Sequence, residues 1–209
     1  MGLIDIDPRI RDLDDALTAR NGTAPDDAPD ATNGIEAAVS MVVRIGHQLD
    51  FLLIKRASSD RDPWSGQMAL PGGRWDPTDS SLLETAIRET LEETGVDLRR
   101  SGETLGKLDD VRPASTRLPK MRIAPFVFAV PHETQAVVAS SELQSVHWVS
   151  LDSLRSPKVQ ASIAIDLGGT ARSFPSYALV GEHVWGLTHR ILTDFLSLSP
   201  PARRKPPRS

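Results

Sequence analysis

Cysteine is absent from this 209-residue sequence, which excludes disulfides, thiolate metal sites and a cysteine nucleophile together. No apolar run approaches the roughly 18–20 residues needed to span a bilayer. The opening Met1-Gly2-Leu3-Ile4-Asp5 lacks the basic and apolar regions of a signal peptide, so a cytoplasmic location is the default expectation. A charge excess is missing as well. The net charge of −4 offers no electrostatic reason for non-specific binding to nucleic acid or a membrane surface. No internal repeat is visible, and the regular βαβ alternation of a doubly wound sheet is not there. What is present is 39% hydrophobic and 25% charged residues, the composition of a globular chain with a core, at a length suited to one domain with trimmings.

Three stretches follow from local composition. Ile6, Ile10, Leu13 and Leu17 recur at near-helical spacing and predict a short amphipathic helix over 4–19. Residues 21–34, with two prolines and a run of Asp, Ala, Thr and Gly, read as a flexible acidic linker. Residues 1–34 are thus expected as an N-terminal helix and linker, 35–199 as the functional domain, and 200–209 as a basic, proline-rich tail. Inside the domain, β-branched and aliphatic runs predict strands at 37–45, 51–57, 67–70, 104–111, 123–130 and 146–151. The turn Gly46-His47-Gln48-Leu49-Asp50 predicts a hairpin between the first two. Helices are expected at 80–94 and 184–198, giving a mixed α/β sandwich.

The segment with chemical content runs from Leu70 to Val96. Ser81 followed by Glu84 is a capping-box pattern, and Gly95 stands where a left-handed cap would stop a helix. On that helix Glu89, Glu92 and Glu93 are related by i, i+3 and i+4 and share one edge. Carboxylates crowded in this way repel one another unless a cation shares them, and an all-oxygen donor set suits Mg²⁺ or Mn²⁺. Arg88 is within reach of either Glu92 at i+4 or Glu84 at i−4. Pro71-Gly72-Gly73 makes a turn whose backbone can approach a metal and phosphates closely.

In order and nearly in spacing, these residues resemble the Nudix box, Gly-x5-Glu-x7-Arg-Glu-U-x-Glu-Glu-x-Gly-U with U aliphatic. The half from Arg88-Glu89 through Glu92-Glu93 to Gly95 is intact. Counted back from Arg88, the box glycine falls on Arg74 and the early Glu on Ser80, so Gly73 lies one residue too far upstream and Asp79 is the nearest acid. Thr90 takes a usually aliphatic position. The Pro-Gly-Gly loop with one extra residue resembles the coenzyme A pyrophosphatase branch of that family. So do the preceding Leu52-Leu53, then Gly66 four residues before Leu70-Pro71-Gly72-Gly73, with Leu for the branch's Phe. The branch's Arg lands on Asp62, beside Arg61. Val184-Trp185-Gly186-Leu187-Thr188 is similar to the start of its closing helix.

The resemblance implies a Nudix-type α/β/α sandwich with a mixed, curved sheet and metal-assisted attack of water on a pyrophosphate phosphorus. Arg88, Glu89, Glu92 and Glu93 are the implied catalytic residues, with Glu89, Glu92, Glu93 and Gly73 as Mg²⁺ or Mn²⁺ ligands. Glu142, ahead of a core strand, is either a further base or ligand or a solvated loop residue. Gly72, Gly73, Arg56 and Arg61 are expected to bind substrate. Arg56, Arg61 and the neighbouring Lys55 either clamp phosphates or are surface cations. His147 and His189 are expected to be structural, and neither Ser65 nor Ser115 has the context of a nucleophile. The expected partner is a small nucleotide-type substrate: coenzyme A or a derivative, or else ADP-ribose, NADH or a dinucleoside polyphosphate. A Nudix-fold nucleotide-binding module without turnover is the other class. Membrane and nucleic-acid partners are not expected, and homodimer formation stays open.

Overall fold

Eleven residues, most of them branched or small and apolar, form the central strand β1 (Ile35–Ile45). The hairpin Gly46-His47-Gln48 returns it as β2 (Leu49–Arg56), with Ile45 opposite Leu49. The computed structural model describes residues 2–22, 28–30, 34–60, 64–113, 120–166 and 169–198. The tail 200–209, most of the linker segments 23–27 and 31–33, Arg61 and Ser115 lie outside them.

On its other side β1 pairs in parallel with β6 (Met121–Val130), from Ile35 opposite Met121 to Arg44 opposite Val130. Further pairings add β3 (Met68–Ala69) and β7 (Leu143–Ser150) to β2, β4 (Gly72–Arg74) to β1 and β5 (Glu103–Lys107) to β6. The result is an open, mixed seven-stranded sheet. Helix α3 (Leu82–Thr94) covers one face, burying Leu82, Ala86 and Ile87 against Ala38, Val42, Leu52, Phe126 and Phe128. A short α4 (Leu98–Ser101) follows it. On the opposite face lie α2 (Pro8–Asn21), behind a single turn α1 (Leu3–Ile6), and the closing α5 (Gly186–Leu198). Ile10, Leu13 and Leu17 of α2 and Ile191, Leu192 and Phe195 of α5 share one apolar core with Met41, Phe51, Leu53 and Val127. This is the expected α/β/α sandwich.

The N-terminal helix is a layer of this domain rather than an appendage. Its three periodic apolar residues are almost fully buried, and Arg20 at its end pairs with Asp194 of α5 at 2.9 Å and with Asp109. Beyond the last predicted strand lies a second sheet that the strand predictions did not include: β8 (Gln160–Asp166), β9 (Ala171–Leu179) and β10 (Glu182–Trp185), in the order β10-β9-β8. Val184 and Trp185 pair with Tyr177 and Ser176, so the closing helix starts at Gly186 and not at 184. The strand expected over 104–111 stops at Lys107, and beyond it only Val111 bridges to Ile123. Among the described residues no helix is long and apolar enough to cross a membrane.

One irregularity of the sequence has a structural explanation. Thr90, at the usually aliphatic position, is fully buried against β1, where its hydroxyl lies 2.7 Å from Ser40 Oγ and 2.7 Å from the Ala86 carbonyl. Ser40 Oγ is 3.1 Å from the same carbonyl. Two small hydroxyls satisfy each other where two methyl groups would otherwise pack. Thr90→Val alone is expected to cost about 1 kcal/mol, because it removes one hydrogen bond of the buried Ser40 hydroxyl and leaves it only the Ala86 carbonyl. The double variant Ser40→Ala/Thr90→Val should recover part of that loss, and a urea-unfolding double-mutant cycle measures the coupling.

Candidate active site

The site is built where α3 begins and β4 crosses β1. Ser81 Oγ accepts the Glu84 amide at 3.2 Å, and Gly95 at φ 70° stops the helix, two residues shorter at its start than predicted. Gly72 is forced. At φ +152° a Cβ there would sit 2.2 Å from the Ala38 carbonyl oxygen, because β4 lies tight on β1 with Val39 opposite Gly72. That approach aims the Gly72 amide at Glu93, whose Oε2 accepts it at 2.9 Å. Gly73 is constrained from the other side: a Cβ on it would lie 2.4 Å from the Glu89 carboxylate.

The structure gathers most of the predicted residues at this corner. Arg88 is the organising cation. It donates to Asp79 through Nε and NH2 at 3.0 Å, lies 3.0 Å from both Glu89 Oε1 and Glu92 Oε2, and reaches the Arg74 carbonyl at 3.3 Å. Of its two expected partners it takes Glu92; Glu84 pairs instead with Arg99. Arg56 stands at the far end, 3.8 Å from Glu93 Oε1 and 3.8 Å from Glu142 Oε2. It thereby links the loop acid Glu142 to the helix. Lys55 does not join. Its side chain leaves β2 on the opposite face and pairs with Glu182 of β10, as strand alternation requires. His147 is part-buried beside Ser145 Oγ at 2.7 Å, and His189 stacks on Tyr177 at 4.6 Å.

Asp79 was not among the predicted site residues. The Asp76-Pro77-Thr78-Asp79 turn, in which Asp76 Oδ1 accepts the Thr78 amide at 2.8 Å, folds it back over the helix start. There it holds Arg88 and accepts the Thr85 hydroxyl at 2.9 Å. Burial pushes the Asp79 carboxyl up, and the hydrogen bonds from Arg88 and Thr85 outweigh it, leaving the group below its ordinary range. It is therefore charged, and it fixes Arg88 from the side away from the glutamates. The available sequence signal was an acid one residue short of the missing box Glu.

The glutamates behave oppositely. Burial raises Glu89; Arg88 pulls it down, Glu92 and Glu142 push it up, and the net is an elevated pKa. Glu93, 4% exposed, is driven by burial to about 7, against the Gly72 amide and Arg56, which favour its charge, and with Glu89 and Glu142 adding repulsion. Glu92 is more than half exposed.

A divalent cation fits this chemistry. The donors are all oxygen, two of them sit in a field that disfavours their own charge, and the missing Cβ of Gly73 leaves a cradle beside Glu89. Among the described residues no three acidic or imidazole side chains already converge as a cage. Glu89 and Glu92 are turned toward Arg88, and ligation requires them to swing from it along the same helical edge.

Residues 34–166 match the family model described as the NUDIX domain. The chain is 42% identical over 118 residues to a protein of Schizosaccharomyces pombe, a match covering 55% of this chain and 36% of that protein. It is 30% identical over 142 residues to the Nudix hydrolase NudL of Yersinia enterocolitica, covering 68% of this chain and 70% of NudL. A solved MutT/nudix family protein from Enterococcus faecalis shares the fold at a TM-score of 0.50 and 17% identity, over 95% of this chain and 70% of that one. With the domain match extending over well over half its length, this chain belongs to the Nudix hydrolase family.

Proposed function

We propose that this chain hydrolyses the pyrophosphate bond of a nucleoside diphosphate-linked substrate, with coenzyme A or its derivatives favoured, and that it works in the cytoplasm. Mg²⁺ or Mn²⁺ would be held by Glu89, Glu92, Glu93 and the Gly73 carbonyl. The observation that carries the proposal is the pair of carboxylates with raised pKa, the half-buried Glu89 and the buried Glu93, set against a backbone turn stripped of side chains. Coenzyme A is favoured by the loop around Gly66 and Leu70-Pro71-Gly72-Gly73.

The divalent ion, when bound, neutralises charge on the phosphate oxygens and makes water a better nucleophile. The remaining work falls to the chain. The Gly72 amide and Arg56 hold Glu93 in one orientation, and Arg88, itself anchored on Asp79, orients Glu89 and Glu92. Glu142, largely exposed beside Arg56, would take the proton of the attacking water. Gly72 and Gly73 let the diphosphate approach the backbone, and Arg56 with Arg61 supplies positive charge for it.

Product identification after incubation with Mg²⁺ or Mn²⁺ tests the proposal. Coenzyme A should yield an adenosine bisphosphate and a phosphopantetheine. Turnover of ADP-ribose, NADH or dinucleoside polyphosphates with coenzyme A untouched would reassign the substrate. Nucleotide binding with no product at saturating metal would remove the hydrolase proposal altogether.

A further inference from the structure

The second sheet leaves one backbone edge open. In the order β10-β9-β8, strand β8 has β9 on one side and no strand on the other among the described residues. The Ala178 amide donates to the Val159 carbonyl at 2.8 Å, one step before Gln160, which lies opposite Tyr177 in the β8–β9 register. Antiparallel alternation then turns the amides of Ala161, Ile163 and Ile165 toward β9, and those of Gln160, Ser162, Ala164 and Asp166 toward the free edge.

Two other edges of the molecule are guarded. Strand β5 carries an irregularity between Thr104 and Gly106 and lies under α2. Where β9 runs past the end of β10, the residue whose amide would face outward is Pro175, which has none. Strand β8, with the sequence Gln-Ala-Ser-Ile-Ala-Ile-Asp, has no proline, no irregularity in its register and no charge before its last residue. An edge of this kind is a template for another strand. One face of the same sheet is apolar: Ile163, Ile165, Phe174 and Trp185 share it, half-buried, with Phe174 and Trp185 ring centroids 5.8 Å apart.

We propose that β8 pairs with β8 of a second copy of this chain, antiparallel about a two-fold axis at Ile163, making one six-stranded sheet from two three-stranded ones. The strand is complementary to itself in this register. Ser162 meets Ala164 and exchanges outward amide hydrogen bonds with it, Gln160 meets Asp166, and the two Ile163 side chains abut on the apolar face. Charge supports the same register. Lys158, in the turn just before the strand, and Asp166, its last residue, are both exposed, so antiparallel pairing brings the Lys158 end of one copy to the Asp166 end of the other. The proposal is independent of the substrate and of the catalytic assignment.

One strand pair is a small interface, so a reversible dimer in the micromolar range is expected. Sedimentation velocity on the full chain, from low micromolar to several hundred micromolar, reads it. Ala164→Pro removes an outward amide while sparing the ladder to β9, and should leave a monomer across the range. Should that variant misfold, surface charges decide. Lys158→Glu and Asp166→Lys should each raise the dissociation constant about fivefold or more, and the double exchange should restore it to about the parent value. A chain that stays monomeric throughout overturns the proposal. So does a dimer indifferent to Ala164→Pro and to both single charge variants, because it would be using another surface.

Discussion

Glu93→Gln is expected to lower turnover by about three orders of magnitude while making the metal-free protein more stable at pH 8. The two effects share one cause. Glu93 is a buried carboxylate whose pKa stands at about 7 against an ordinary 4.5, so the fold binds its proton more tightly than the unfolded chain does. Between those two values the native state holds more protons than the unfolded state, and stability therefore falls as pH rises through that window. The loss is absent below pH 4.5 and complete above pH 7. Its full size is on the order of 3 kcal/mol. Glutamine keeps an oxygen for the Gly72 amide, carries no charge to desolvate, and cannot neutralise a cation. Urea unfolding in EDTA at pH 5 and pH 8 should show the parent losing stability between them and the variant losing much less. Unaltered kcat in the variant would refute the role given to Glu93.

The two glycines before the catalytic helix should separate folding from chemistry. Gly72→Ala places a Cβ 2.2 Å from the Ala38 oxygen and 2.6 Å from Val39 Cα, at φ +152°. Both neighbours are backbone of a strand paired on two sides, so neither yields. A destabilisation of about 3 kcal/mol or more is expected from the clash and the backbone conformation together. Gly73→Ala also clashes, at 2.4 Å, but its obstacle is the Glu89 carboxylate, the end of a side chain that can rotate away. This variant should unfold near the parent's midpoint and lose roughly a hundredfold in kcat, the scale of loss that follows a displacement of about 1 Å at a reacting centre. A thermal melt paired with a turnover assay distinguishes them. Equal loss of stability in both would mean that Glu89 is packed too rigidly to move.

The sandwich was legible because its signals are local. Continuous β-branched and aliphatic runs marked β1, β2 and β6, and a capped, Gly-terminated helix with three glutamates on one edge marked α3. The parts that escaped depend on contacts distant in sequence. The second sheet escaped because the face turned from α5 carries the half-buried Ile163, Ile165, Phe174 and Trp185, so both of its faces are partly apolar. Val184 looks like a helix start until its pairing with Tyr177 is known. In the site, Glu89, Glu92 and Glu93 could be read from helical spacing, but Asp79 could not. A turn at Asp76–Thr78, not a period, brings it to Arg88. The missing box glutamate and the aliphatic-to-threonine change looked like defects in sequence. In space Asp79 grips Arg88, and Ser40 meets Thr90.

The Arg20 clasp bears on the order in which the molecule can assemble. Helix α2 is made well before α5, yet its ion-pair partner Asp194 and much of the apolar surface it shares belong to that later helix. A nascent chain must therefore carry the Ile10, Leu13 and Leu17 face incompletely covered until translation has passed α5. During that interval the early helix is exposed to chaperones and to non-native collapse, and this face closes only when α5 emerges.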